Sequence, residues 1–443
     1  MACEYPYARL LQPERRPPNP EIVIDASGRP MTVVRRRRSG KSPLMGNGRP
    51  VEMTGMPPKP TRVAQFAAVP LPHYRIPVLE LLNERDDILY SAYALPPAEA
   101  DAKEWRFSFH PIRVLRLPLP RVKNSLVYEI GVVRSLLRGD HDVWIMSNDV
   151  ARISAWAALI VGRMLGRPVC LWGHGVSRPD RRITVFLRGV MMRLAKSVIF
   201  YTEGVRRRWI ARGFDPKKLV VAPNSLDTRT STRILDGLTD ADLSAFAKSR
   251  RMANRHIVAL VARLRPAKRV SVLVRAMKHV VSIEPSAMAL IIGDGPSRSE
   301  VEALSESLGL REHIRFTGSI HDEETIARYL RLSRCVVIPA AAGLTVQHSF
   351  GYGVPVILGN VEDSHGPEAE LVIHGRTGLY FKEDDERDLA RCILRLFSDE
   401  ELRRRMGREA AKLVQNEYNI DAMVAGIAEA VRYAAGRCSR STD

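Results

Sequence analysis

Short apolar runs recur along the chain, each closed by glycine, proline or polar residues and followed by a stretch with helical spacing. In the first half the runs are Val63 to Ala67, Val143 to Met146, Pro168 to Trp172, Val198 to Thr202 and Leu219 to Ala222. In the second half they are Ile257 to Val261, Ala289 to Ile292, Ile314 to Phe316, Cys335 to Ile338 and Val354 to Leu358. Helical spacing lies between them, over Arg75 to Arg85, Ala151 to Leu165, a segment ending at Val280, Ser297 to Leu308 and Leu344 to Tyr352. Buried strands alternating with helices predict an α/β protein with doubly wound parallel sheets, and the repeat of the pattern predicts two Rossmann-like domains facing a cleft. Three helices close the chain, over Glu386 to Phe397, Glu400 to Gln415 and Ile420 to Ala435, the last crossing back to the first domain.

Predicted boundaries follow. Residues 1–60, with the run Arg35 to Arg38, form a disordered basic tail, 61–235 the first domain and 236–255 a linker with a helical patch. Residues 256–417 form the second domain, 418–435 the returning helix and 436–443 a tail.

Parallel crossover units collect ligand sites where strands end and helices begin. The stretch from Cys335 to Gly378 is such a unit, and its small-residue turn, Pro339 to Gly343, offers backbone N–H groups suited to an anion such as a diphosphate. An ordinary helix packed on a sheet has the same pattern. His174, between Gly173 and Gly175 at a strand's carboxyl end, is a candidate catalytic residue. Arg263 and Lys268 leave the second sheet at its carboxyl edge, where two cations neutralise a leaving diphosphate. His73 and Arg75 follow the first strand and are candidates for contacts to phosphate or acceptor, with packing as the alternative. Asp240, Ala241 and Asp242 form a DxD, but Thr239 before them marks a helix start rather than a metal site.

A chain of 443 residues with 45% apolar and 26% charged residues has material for a large core in two domains. Five cysteines without a CxxC argue against a disulfide framework or zinc and for a reducing compartment. No apolar run is long enough to span a bilayer and the amino end lacks a signal peptide's apolar core, so the expected location is cytoplasmic. A net charge of +19 fits an anionic membrane face, a nucleic acid, or merely an arginine-rich surface. The basic clusters lack the interleaved aromatics of a stacking surface, so no nucleic-acid partner is expected. Arg181 to Lys196 alternates Arg181, Arg182, Arg188, Arg193 and Lys196 with apolar residues, the pattern of a helix lying on an anionic bilayer or of a surface helix packed on the core.

With these motifs in place, the chain from Val63 to Tyr433 resembles the retaining glycosyltransferases of the GT-B fold, group 1, family 4, most strongly between Arg263 and Gly378. The matching segments are WGHG around His174, the PNxxD-like Pro223 to Asp227, ARLRPAKR from Ala262 to Arg269, GDGP from Gly293 to Pro296, and Pro367, Glu368 and Glu370 before Gly375. The resemblance implies that His174 lies near the transferred sugar, that Arg263 and Lys268 take the diphosphate, and that the backbone at Gly318 and Ile320 reads the base. It also implies donor binding by Gly343, Leu344, Thr345, His348, Glu368 and Glu370. Two departures stand out. The family's paired glutamates fall on Ala340 and His348, and Pro70, Leu71, Pro72 and His73 replace its glycine-rich loop. Glu368 and Glu370 are the expected replacements for the missing acids. The implied function is transfer of a hexose-type sugar from a nucleotide sugar, without metal or other cofactor, to a cell-envelope glycan or lipid-linked acceptor at the inner face of the cell membrane. The alternative is a non-catalytic nucleotide-sugar or polyanion-binding protein of the same fold.

Overall fold

The structure, a computed structural model, describes residues 59–96, 105–118, 126–175, 181–361 and 365–437, with a two-residue antiparallel pairing of Val23–Ile24 and Pro30–Met31. The expected disorder of residues 1–60 and the tail 436–443 otherwise lie almost wholly outside the described residues. From Lys59 onward the chain forms one unit built on two parallel sheets.

Strands β1 (Thr61–Pro70), β2 (Ile88–Leu95) and β3 (Ser108–Pro111) open the first lobe. An antiparallel hairpin follows, β4 (Val114–Leu117) with β5 (Leu126–Glu129). Next come β6 (Val143–Ser147), β7 (Val169–Trp172), β8 (Ser197–Phe200) and β9 (Leu219–Val221). The first sheet has seven strands in the order β9-β8-β7-β6-β1-β2-β3, all parallel. Strands β6, β7 and β8 are buried on both faces, so they read as unbroken apolar runs. Val63, Tyr90, Ile145 and Ile199 face one layer, while Ala64, Phe66, Trp144, Met146 and Phe200 face the other.

The second sheet has six parallel strands: β10 (His256–Val261), β11 (Ala287–Ile292), β12 (Ile314–Gly318), β13 (Ser333–Ile338), β14 (Val356–Gly359) and β15 (Gly378–Phe381). Their order is β12-β11-β10-β13-β14-β15. Both sheets reverse strand order at the middle, and ligands of such folds sit beyond the strands' carboxyl ends at that reversal.

The helices beside the first sheet are α1 (Ile76–Asn83), α2 (Val132–Arg138), α3 (Ile153–Met164), α4 (Arg182–Leu194) and α5 (Glu203–Ile210). The segment expected as a linker over 236–255 carries the helix α7 (Asp240–Ser249), preceded by α6 (Thr228–Gly237), and the two are started by side-chain caps from Thr239 and Asp227. The second lobe carries α8 (Val270–Ile283), α9 (Arg298–Ser307), α10 (Glu323–Leu332), α11 (Thr345–Gly351), α12 (Glu386–Ser398) and α13 (Glu400–Asn416). The last helix, α14 (Ile420–Ala434), puts Ile420, Met423, Ile427 and Val431 into the first lobe's core. Its Gly426 lies so close to the first sheet that a Cβ there would stand 2.3 Å from the Val221 carbonyl oxygen.

Candidate active site

The rim of the second sheet is assembled by glycines that let loops touch backbone to backbone. At Gly293 and Gly295, both at positive φ, a Cβ would stand 1.9 Å from Ala262 O and 2.3 Å from Leu264 O. No side chain fits at either position. Leu264 N donates to Asp294 O (2.9 Å), Ser297 N to Leu264 O (3.1 Å) and Gly293 N to Gly318 O (2.9 Å). The segments ARLRPAKR, GDGP and Gly318 to Ile320 therefore form one continuous edge beyond β10, β11 and β12.

Lys268 ends a 3-10 turn, Pro266–Lys268, and its Nζ donates to Ala341 O at 2.7 Å. Ala341 sits at φ +52, a left-handed conformation that costs a non-glycine residue about 1 kcal/mol or more. The residue that carries this strain is the one whose carbonyl accepts from the lysine. Thr345 Oγ1 donates to Val261 O at 3.3 Å, which pins the start of α11 to the end of β10. Arg263 is exposed on the same loop, and Gly343, Leu344 and Thr345 are half-buried. The structure thus brings Lys268 onto the turn and leaves the Arg263 side chain facing solvent at the same edge.

His348 stands elsewhere than expected. Its Nε2 bonds Glu323 Oε1 at 2.6 Å, so the ring is committed to a carboxylate of α10 rather than directed at ligand hydroxyls. Tyr352 OH donates to the same oxygen at 2.6 Å. Burial pushes the Glu323 carboxyl up, but the donors from His348 and Tyr352 outweigh it and hold the group below its ordinary range.

Glu368 and Glu370 also depart from the expected arrangement. They lie on a 3-10 turn, Pro367–Leu371, and both reach the first lobe. Glu368, 3% exposed, accepts from Asn224 Nδ2. Glu370 accepts from Gly204 N (2.9 Å) at the start of α5 and from Arg208 Nη2 (3.4 Å) further along it. Burial pushes the Glu370 carboxyl up, against the pull of Thr202, Arg208 and Gly204. These carboxylates are struts between lobes. The reason is positional: their turn follows β14, and Ala342 holds its start through His365 Nδ1 (3.2 Å) and Gly366 N (2.9 Å).

Arg75 is buried. Its guanidinium donates to Asn224 Oδ1 (2.5 Å), Tyr201 OH (3.3 Å) and Met423 Sδ (2.9 Å), and lies 5.2 Å from the Trp172 ring centroid. It is thereby removed from any direct contact with phosphate. His73 is exposed beside it. His174, exposed at the carboxyl end of β7, meets the Tyr201 ring edge-on at 4.9 Å. Arg75, Tyr201, Asn224 and Glu368 therefore make a polar chain from the neighbourhood of His174 to the second lobe. Because these contacts join the carboxyl edge of one sheet to that of the other, the two edges face each other. Sequence reasoning quoted Asn224 only as part of a motif and passed over Glu323 and Tyr201. Asp322, whose side chain accepts from Thr325 N before Ile326, Ala327 and Leu330, was the cap signal that would have exposed α10 and Glu323.

Asp242 closes a capping box with Thr239, so the DxD is a helix start. Among the described residues no cluster of His, Cys, Asp and Glu is arranged to hold a metal, and no helix is long and apolar enough to cross a membrane.

Two doubly wound sheets with opposed carboxyl edges define the GT-B architecture, and solved structures agree. The structure of Anabaena HepE in complex with UDP is similar with a TM-score of 0.66 and 17% identity, over 83% of this chain and 98% of that one. Residues 243–413 match the family Glycosyl transferases group 1. The alpha-D-kanosaminyltransferase of Streptomyces kanamyceticus is 23% identical over 341 residues, 70% of this chain and 86% of that protein. The GDP-mannose-dependent alpha-(1-6)-phosphatidylinositol monomannoside mannosyltransferase of Mycolicibacterium smegmatis is 24% identical over 337 residues, 72% and 83% of the two. Other relatives match over less of their length, 16% in one case and 64% in another. These matches support reading the chain as a group 1 glycosyltransferase.

Proposed function

We propose that the protein is a retaining glycosyltransferase that moves a hexose-type sugar from a nucleotide sugar to a cell-envelope glycan or lipid-linked acceptor, without a metal. The observation that carries this reading is the contact of Lys268 Nζ with Ala341 O, which sets a cation against the small-residue turn at the inner rim of the second lobe. When the bond between the anomeric carbon and the diphosphate breaks, negative charge gathers on the leaving phosphate. Lys268 and the backbone N–H groups around Gly343 stabilise that charge in a fixed geometry, and Arg263 adds its charge from the same edge. His174, on the opposite rim, contacts the sugar or the acceptor hydroxyl.

The acceptor's place at a membrane face is supported by the first lobe's surface. On α4, Ile183 and Phe186 are 60% and 63% exposed beside Arg181, Arg182 and Arg193, while Met164 on the neighbouring α3 is 80% exposed. Arg188, counted with the basic face from sequence, is buried instead and takes no part. Exposed apolar side chains on a helix that also carries exposed arginines suit an anionic bilayer surface.

Incubation of the purified chain with a panel of labelled nucleotide sugars tests the reading. Release of nucleoside diphosphate with retained anomeric configuration, undiminished by a chelator, is expected. Binding without any turnover would favour a nucleotide-sugar-binding protein, the reading that Ala340 and His348 motivate.

A further inference from the structure

Glu323 opens α10 immediately after the Gly318 to Ile320 loop, on the same edge as Lys268. Its Oε1 takes both the His348 and the Tyr352 donors, each at 2.6 Å, and Oε2 takes no protein donor among the described residues. The Tyr352 side chain is fully buried, whereas the Glu323 side chain is 36% exposed. Two donors on one oxygen fix the rotamer and leave the other oxygen as an oriented acceptor. An ionised carboxylate oxygen accepts only, so whatever meets it has to bring hydroxyl or N–H groups.

The place of this acceptor narrows the choice. His348 lies about one helical turn beyond the turn touched by Lys268, roughly 5 Å along α11. In a nucleoside diphosphate, the group one step from the phosphates is the ribose, which carries two neighbouring hydroxyls. We propose that Glu323 Oε2 holds the ribose hydroxyls of the nucleotide, with His348 and Tyr352 as positioning residues. This rests on the nucleotide-sugar reading above. It also explains how the rim keeps an acid although Ala340 and His348 supply none: the carboxylate comes from α10, and α11 contributes the ring that aims it.

The test is calorimetric titration of the full chain with UDP, GDP and their 2′,3′-dideoxy forms. In the wild type, removing both hydroxyls weakens the preferred diphosphate about tenfold or more, the range for hydrogen bonds to a charged group. In Glu323→Ala this penalty falls below about threefold while affinity for the dideoxy form is unchanged, and Glu323→Gln, read in its place if the alanine variant misfolds, gives a smaller penalty than wild type. A full penalty retained in the variant overturns the proposal, as does equal weakening of both forms. These probes carry no transferred sugar, so a penalty seen only with intact nucleotide sugars also overturns it. A wild type that turns over nucleotide sugars yet binds both forms equally sinks this proposal alone. A wild type that binds neither diphosphate sinks the nucleotide-sugar reading with it.

Discussion

Truncating Glu368 to alanine should separate the lobes energetically. The carboxylate is 3% exposed and accepts from Asn224, whose other side-chain atom takes Arg75, itself only 9% exposed. Removal costs one charge-assisted hydrogen bond, about 1.5–3 kcal/mol, and leaves a buried guanidinium without the carboxylate that balances it. Breaking a directly paired buried charge costs about 3–5 kcal/mol, and Asn224 stands between the two here, so about 3 kcal/mol is expected. That is a large share of the roughly 5–15 kcal/mol that holds a typical protein folded. Trp172 packs against Arg75 and reports the transition by fluorescence during denaturation. Glu368→Gln, which keeps the size and one acceptor, should lose about half as much. In an Asn224→Ala background the Glu368→Ala loss should fall below about 1 kcal/mol, because the relay is already cut. Stability of Glu368→Ala within about 0.5 kcal/mol of wild type would refute the reasoning, since the strut would then bear no load.

Three further outcomes follow from named contacts. Gly426→Ala places a methyl against the Val221 carbonyl and Ala222, backbone that cannot yield, so α14 should be displaced from the first sheet at a cost of about 1–3 kcal/mol, read from thermal melts. Glu323 has a folded pKa below its unfolded value, so its contribution to stability is present above the ordinary carboxylate range and is lost as pH falls through the folded value. The melting difference between wild type and Glu323→Gln should accordingly be present at neutral pH and shrink on acidification, and a difference that grows instead would contradict the assignment. Ile183→Ser with Phe186→Ser should reduce co-sedimentation with vesicles containing anionic lipid, leave the fold intact, and have no counterpart with neutral vesicles.

The alternation of buried runs and helices was legible because parallel strands covered on both faces carry unbroken apolar stretches, as at Ile257–Val261 and Cys335–Ile338. Strands β2 and β3 escaped notice. Ser91 interrupts the run Ile88–Leu95, and Ser108–Pro111 is an edge strand of mostly exposed residues with His110 and Pro111, so neither has the composition of a core strand. The glycines of GDGP stand in the sequence only as a segment matching the family, and the backbone approach to Ala262 and Leu264 gives them their reason. Lys268 lies at the carboxyl edge of the second sheet because its loop follows a strand directly. Arg75, Glu368 and Glu370 were placed in the site by order along the chain, whereas each is spent on a partner far away in sequence: Arg75 on Asn224, Glu368 on Asn224 and Glu370 on Gly204. Such pairings depend on how two lobes meet, which local periodicity does not record. His348 and Glu323, 25 residues apart, are of the same kind.

The central claim is that the strained turn at Ala341 and the lysine bonded to it receive a diphosphate. A crystal structure of the full chain with a bound nucleoside diphosphate measures this directly. Phosphate oxygens within hydrogen-bond reach of Lys268 Nζ and of backbone N–H groups between Ala342 and Thr345 are the predicted result. A diphosphate seated away from that turn, with Lys268 still closed on Ala341, would contradict it.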